Sequence, residues 1–380
     1  MFEPVAGHVR PGFEPVAEQF RAHFREGLEV GASLCVYHQG EPVVDLWGGC
    51  CDLAGENPWT PQTLVNVYST TKGLASIAFA TIVEAGDCHY DQPVADIWPE
   101  LQAAGSGLTI GDLLAHRGGL CGISSPLSVS DLYDWQKMIR LLESQEPFWA
   151  PGTASGYHAV TWGYLPGELA RRLTGKTLGT ILRERVCEPA AADFFLGLPD
   201  SEMHRVAPLV GSNRARVTVE RQSGETSTEP GPFHAAALAN PVIRPFQDAS
   251  SQAWQRAEIA ASNGHGSARG LARAYAAVLD PDFGLVSDST LEALLEARAG
   301  DEADLVLGRR LRRGAGVILN TDAMFGPNDR AWGHSGAGGS TAFADPVTTT
   351  AFAYAMNQMR DDEGNNTRAS RLIGAYYDCL

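Results

Sequence analysis

The chain has 380 residues, 44% hydrophobic and 19% charged, with a formal net charge of −16. That is enough apolar material for one large domain or two intimate ones. Only three of the 29 basic residues are lysine, so the chain lacks the basic footprint that a nucleic-acid partner requires, and its acidity disfavours anionic membranes.

FEPVA occurs at 2–6 and again at 13–17, too few copies for a repeat architecture. The N-terminal stretch has neither a basic segment nor an apolar run, so it does not read as a secretory signal. Glu18–Gly27 predicts a helix with Phe20 and Phe24 on one face. ASLCVYH and PVVDLWGG, separated by Gln39-Gly40-Glu41, predict a β-hairpin. From Ser69 onwards helical patterns dominate: Thr70–Ala85, Ile110–Ala115, Asp131–Glu143, Trp162–Leu173 and Leu178–Val186. Thr109, with Asp112 three residues on, is a cap for the second of these. Thr218–Pro232 is polar and predicts an exposed loop. Helices resume at Ala268–Leu279 and Asp288–Ala297. Strands are expected at Gly314–Asn320, Ser340–Phe343 and Thr348–Met356, and a last helix at Thr367–Tyr377.

Strands thus gather at both ends and helices fill the middle. The expected class is α+β, with one sheet built from both ends of the chain and flanked by terminal helices. Residues 1–65 and 268–380 would form a discontinuous α/β domain, and 66–267 a mostly helical insertion. An active site is expected in the cleft between them. The longest apolar stretch, Leu74–Val83, is too short to span a bilayer. The seven cysteines are odd in number and lack metal-finger spacing, which points to free thiols in a reducing compartment and a cytoplasmic protein.

The chemistry gathers at three places. In VYSTTKG, Ser69 and Lys72 are three residues apart and share one face of a helix's first turn. Ser69 is either a helix-starting serine or a nucleophile activated by a desolvated amine. Tyr157 lies in the loop TASGYH, where it is either a packing aromatic or, beside a lysine, a base. In RAWGHSGAGGSTAFADP the glycines leave backbone bare for an oxyanion-binding N–H or simply form a turn. GHSGA offers Ser335 as a rival nucleophile. It lacks the fifth glycine of a nucleophile elbow, and no histidine follows His334. Trp332 is read as a wall of an acyl pocket or, equally, a core tryptophan, with Trp149, Trp162 and Tyr164 as further candidates. His116, in the loop HRGGL, either approaches the cleft or is structural. No metal-ligand spacing and no phosphate-binding glycine loop occurs, so neither metal nor cofactor is expected.

Together these segments resemble the serine β-lactamase and penicillin-binding-protein superfamily, in its class C-like branch with the family VIII carboxylesterases. Ser69-Thr70-Thr71-Lys72, TIGDLLAHRGGL, the PGT segment leading to Tyr157, and His334-Ser335-Gly336 occur in the order that the family shows. The resemblance implies a β-lactamase-like fold. It implies acylation of Ser69, proton transfer by Lys72 and Tyr157, and an oxyanion hole from the N–H groups of Ser69 and Ala337. His334, Ser335, Gly336 and Trp332 would contact substrate. The family's lactamases carry Tyr-x-Asn and a Lys-Thr/Ser-Gly strand, whereas this chain has Ala159 and His334. A neutral histidine there favours small neutral esters over β-lactams. The expected function is a carboxylesterase. A β-lactamase, a D-amino-acid peptidase or amidase, an acyltransferase and a non-catalytic acyl-trapping homologue are the alternatives.

Overall fold

The structure is a computed structural model that describes residues 5–211, 230–360 and 367–380. Ten strands occur among them: β1 Val5–Val9, β2 Gly31–His38, β3 Glu41–Gly49, β4 Val65–Asn66, β5 Phe194–Phe195, β6 His265–Gly266, β7 Ile318–Leu319, β8 Trp332–Ser335, β9 Thr341–Asp345 and β10 Thr350–Met356. Seven form an antiparallel sheet in the order β1-β3-β2-β10-β9-β8-β7. The expected hairpin is β2–β3. Its turn residues Gln39 and Gly40 both have positive φ, the pairing that suits right-twisted strands.

Strand alternation sets the two faces of the sheet. On β10, Phe352, Tyr354 and Met356 pack with Val16, Phe20, Leu372 and Tyr376 of the first and last helices, Glu14–Arg25 and Arg368–Tyr377. Ala351, Ala353 and Ala355 face the other way, beside Leu271, Ala272 and Tyr275 of the Ala268–Leu279 helix. Large residues on one face and alanines on the other let that helix lie close to the sheet. β4, β5 and β6 form a second small sheet in the order β4-β6-β5.

The Thr71–Glu84 helix is apolar on every side and almost wholly buried, as expected of a helix with no solvent-facing stripe. Thr109 caps its helix by accepting from the Asp112 N–H at 3.1 Å. Several boundaries differ from expectation. The helix expected from Asp131 starts at Trp135, because the Asp134 carboxylate accepts from the Lys137 N–H at 3.0 Å and caps it there. Of Gly314–Asn320 only Ile318–Leu319 pairs as strand. β1, β4, β5 and β6 were not expected, since two- and five-residue strands carry too little alternation to be read. The polar loop over Thr218–Pro232 lies, through residue 229, outside the described residues. All seven cysteines are free thiols. Among the described residues no helix is long and apolar enough to cross a membrane.

Candidate active site

Tyr68–Thr70 forms a tight turn that leads into the Thr71–Glu84 helix. Tyr68 is a buried, non-glycine residue at φ 45°. Bulky residues adopt this left-handed conformation only when the surroundings enforce it. Ser69 does not cap the helix. The residue at the cap position is Thr70, and it makes no side-chain capping bond either. The Ser69 hydroxyl instead points to the two side chains singled out from the sequence. Tyr157 Oη donates to Ser69 Oγ at 2.7 Å, and Lys72 Nζ lies 3.3 Å from Ser69 Oγ and 3.0 Å from Tyr157 Oη. A proton can pass between any two of the three without an intervening water.

Lys72 is completely buried. Its Nζ also donates to the carbonyl oxygens of Ala159 and Ala261, at 2.9 Å each. These two carbonyls can only accept. A neutral amine with two N–H groups satisfies both and keeps its lone pair for the hydroxyl of Ser69 or Tyr157. Burial, and next the positive charge of Arg313, hold the Lys72 pKa well below the ordinary lysine value. Geometry and electrostatics therefore agree on an amine able to take up a proton.

Three imidazoles surround Tyr157, and their partners identify each tautomer. His116 Nδ1 accepts from the His158 N–H at 2.9 Å. His158 Nδ1 donates to the Gly156 carbonyl at 2.6 Å, and its Nε2 accepts from the Leu120 N–H at 2.9 Å. His334 Nδ1 donates to the Ser335 carbonyl at 2.7 Å. The rings of His116 and His334 lie 5.1 and 6.3 Å from that of Tyr157. Burial lowers the pKa of all three, to about 4 for His158 and well below the usual value for the other two. Each is neutral at pH 7. His334 adds no cation to the cleft.

The glycine-rich turn between β8 and β9 closes the site. Gly336 N–H donates to the Ser340 carbonyl at 2.8 Å. Ser340 Oγ donates to the Val67 carbonyl at 2.9 Å and lies 3.0 Å from Thr70 Oγ1. The turn is thus bolted to the segment that carries Ser69. A Cβ on Gly336 would fall 2.2 Å from the Val67 carbonyl oxygen, so no other residue fits. From behind, Arg368 of the last helix donates to the Gly338 carbonyl at 2.6 Å and pairs with Glu29 at 2.8 Å. Among the described residues, neither the Ser69 nor the Ala337 N–H is used in a backbone hydrogen bond.

Ser69, Tyr157, His334, Ser335 and Ala337 border one cavity, whose other walls include Leu238, Ile243, Leu307, Leu311, Ile318 and Met324. Arg309 is a further wall residue. Trp332 is not, which corrects its assignment as an acyl-pocket wall. It shares the face of β8 with His334 but sits two residues further from the strand's end, and there it packs on Tyr275 with no exposure. Trp162 and Tyr164 are equally buried in the core. Trp149 packs on His158 and Phe233 instead of the cavity. Sequence reasoning did not find the carbonyls of Ala159 and Ala261, nor the buried pair Asp304–Arg313 behind Tyr157. Backbone acceptors carry no residue signature. Asp304 had one faint signal, an acidic residue beginning the apolar run DLVL. Among the described residues no group of His, Cys, Asp or Glu could hold a metal ion.

The comparisons with known proteins concern nearly the whole chain. It is 32% identical to "Esterase/beta-lactamase LipL" of Mycobacterium tuberculosis over 374 residues, covering 93% of this chain and 83% of that protein. The solved structure of a family VIII carboxylesterase superposes with a TM-score of 0.89 at 39% identity, covering 99% of this chain and 100% of the other. A penicillin-binding-protein homologue from Caulobacter crescentus superposes at 0.88 with 38% identity and the same coverage. EstA from Arthrobacter nitroguajacolicus Rue61a gives 0.85 at 31% identity, covering 98% and 97%. Residues 20–375 match the beta-lactamase family, and with the fold and the order of its segments in place, the chain belongs to that family.

Proposed function

We propose that this chain is a serine carboxylesterase that cleaves short-chain carboxylic esters through an acyl-enzyme on Ser69. The observation that carries the reading is the Ser69–Lys72–Tyr157 triangle, closed by contacts of 2.7, 3.0 and 3.3 Å around a fully buried amine. Ser69 Oγ attacks the ester carbonyl carbon while its proton passes to the Lys72–Tyr157 couple. The carbonyl π electrons move to oxygen, where the N–H groups of Ser69 and Ala337 receive the negative charge. Collapse breaks the bond to the alcohol, which leaves with the proton. Water then repeats the sequence on the acyl-enzyme, and the same couple takes and returns a proton.

Ester specificity is supported by the neutral His334 and by the leucine, isoleucine and methionine walls. The family VIII carboxylesterase and LipL support it by kinship. A second reading, β-lactam hydrolysis, is favoured by kinship with LipL, whose name joins esterase and beta-lactamase.

The test combines a fluorophosphonate label, located by mass spectrometry, with hydrolysis of p-nitrophenyl butyrate by wild type and Ser69→Ala. The expected result is a label on Ser69 and loss of turnover in Ser69→Ala. A label on Ser335, or full activity in Ser69→Ala, overturns the reading. A protein that is acylated once and never turns over is the non-catalytic homologue. Turnover of a chromogenic cephalosporin rivalling that of the ester moves the substrate to lactams.

A further inference from the structure

Next to Tyr157, and not among the cavity's wall residues, lie two charged side chains that the proposed chemistry does not use. Asp304 and Arg313 are 3% and 1% exposed, and Arg313 Nη2 is 2.7 Å from Asp304 Oδ2. Asp304 Oδ1 accepts three backbone N–H groups: Tyr157 at 3.0 Å, and Val306 and Leu307 at 2.8 Å each. Arg313 Nη1 donates to Ser155 Oγ at 2.8 Å, two residues before the tyrosine. Leu305 N–H donates to the Ser155 carbonyl at 2.9 Å. The Arg313 guanidinium carbon stands 5.8 Å from the centre of the Tyr157 ring. The chain thus brings a buried carboxylate to the tyrosine's backbone and a buried guanidinium to its ring.

We propose that Asp304 and Arg313 act as one positioning unit for Tyr157: Asp304 fixes the tyrosine's backbone, and Arg313 supplies a permanent positive charge behind its ring. The inference rests on the reading of Tyr157 as a proton carrier. A buried ion pair is weak evidence for stability as such, but this one also holds the Tyr157 N–H and the Ser155 hydroxyl, one through each partner. The guanidinium cannot deprotonate, so its field persists across the working pH range.

The sign of that field is the same for every titratable group facing Tyr157. These are Lys72 from the Thr71–Glu84 helix, His116 and Cys121 from the loop after the Ile110–Leu114 helix, His158 from the tyrosine's own loop, and His334 from β8. A neutral residue at 313 would disfavour the phenolate and favour protonated Lys72, His116, His158 and His334. Each change demands a higher pH for the proton-accepting state. The acid limb of kcat/KM would therefore move upwards, by about one pH unit for a charge at this distance partly offset by its carboxylate partner.

The test compares pH profiles of p-nitrophenyl butyrate hydrolysis for wild type, Arg313→Met, Arg313→Lys and Ser69→Ala, with thermal unfolding of each. The expected result for Arg313→Met is an acid limb about one unit higher. Arg313→Lys keeps the charge but cannot hold Ser155 and Asp304 at once as the guanidinium does, so its limb stays in place while its plateau falls about tenfold. An Arg313→Met limb that superimposes on wild type overturns the electrostatic half. An Arg313→Lys plateau equal to wild type overturns the positioning half, and it decides the matter if Arg313→Met does not fold. If Ser69→Ala stays active, the acyl-enzyme reading has failed. If Ser69→Ala is dead while both Arg313 variants behave as wild type, this inference alone has failed.

Discussion

Two buried arginine–carboxylate pairs stand behind the site, one on each side of Ser69. Arg313–Asp304 backs Tyr157, and Arg368–Glu29 backs the glycine turn that carries Ala337. Both are almost wholly enclosed, and each gives at least one further hydrogen bond to the chain segment it backs. Arg368 donates to the carbonyls of Leu28, Gln358 and Gly338, while the Tyr354 hydroxyl donates to Glu29. They differ in what they hold. In the proposed chemistry the first supports a phenol that gains and loses a proton, so its charge would enter the chemistry. The second supports a backbone N–H, which titrates nowhere near neutral pH, so its charge serves only the geometry. Similar ion pairs in one molecule can thus have effects that depend on pH in one place and not in the other.

The sharpest way to break this contrast is Tyr157→Phe. It should lower kcat/KM by about a thousandfold with little change in unfolding temperature; a loss below tenfold in steady-state kinetics would leave the Arg313 side without a purpose. Arg368→Met removes the cation paired with the buried Glu29 and should destabilise the fold by about 3–5 kcal/mol in denaturant titration. Whatever enzyme remains folded should keep the wild-type acid limb, and a shifted limb would erase the distinction between the pairs. Gly336→Ala places a Cβ 2.2 Å from the Val67 carbonyl and displaces the turn proposed to carry the Ala337 oxyanion N–H. Its activity should fall about a hundredfold, equally at all pH values. Ser340→Ala removes the hydroxyl that joins this turn to Thr70 and Val67, and should cost about 1 kcal/mol of stability without moving the profile.

Lys72 sharpens the same contrast in wild type. Its folded-state pKa is lowered, so the amine is neutral in the folded chain at pH values where the unfolded chain still protonates it. Unfolding then takes up a proton, and stability rises with pH between the lowered value and the ordinary lysine range. Activity should be present above the lowered pKa and disappear as pH falls through it. Parallel pH titrations of kcat/KM and of unfolding free energy check both signs.

The parts of the site that could be read from sequence are those with a spacing or an order. Ser69 and Lys72 announce themselves because three residues bring side chains to one helix face. Tyr157 and the His334-Ser335-Gly336 strand became legible through their order along the chain. Trp332 was placed wrongly because alternation gives a side chain's face but not how far along the strand the cleft reaches. Asp304 and Arg313 escaped for another reason. They lie in a segment with no helical or strand period, and their partners, the Tyr157 N–H and Ser155 Oγ, are 147 and 158 residues away. The broad sheet was legible because β2, β3 and β10 are long and alternate. The two-residue strands β4, β5 and β6 were not, since pairing and not composition makes them strands.

The seam between β2 and β10 has a consequence for how the molecule comes into being. It registers Thr350 against His38 and Met356 against Ala32, so neighbours at the centre of the sheet are more than 300 residues apart in the chain. Closing so long a loop must precede any reward from the strand contacts, which makes this seam a slow, late event in folding. During synthesis β2 and β3 must wait, with one edge unpaired, until almost everything else has left the ribosome. The oxyanion turn waits longer still, because Arg368 emerges after β10. A nascent chain that already contains Ser69, Lys72 and Tyr157 would therefore stay inert until its last helix docks, and arrest of translation at successive lengths should show labelling of Ser69 only once that helix is free.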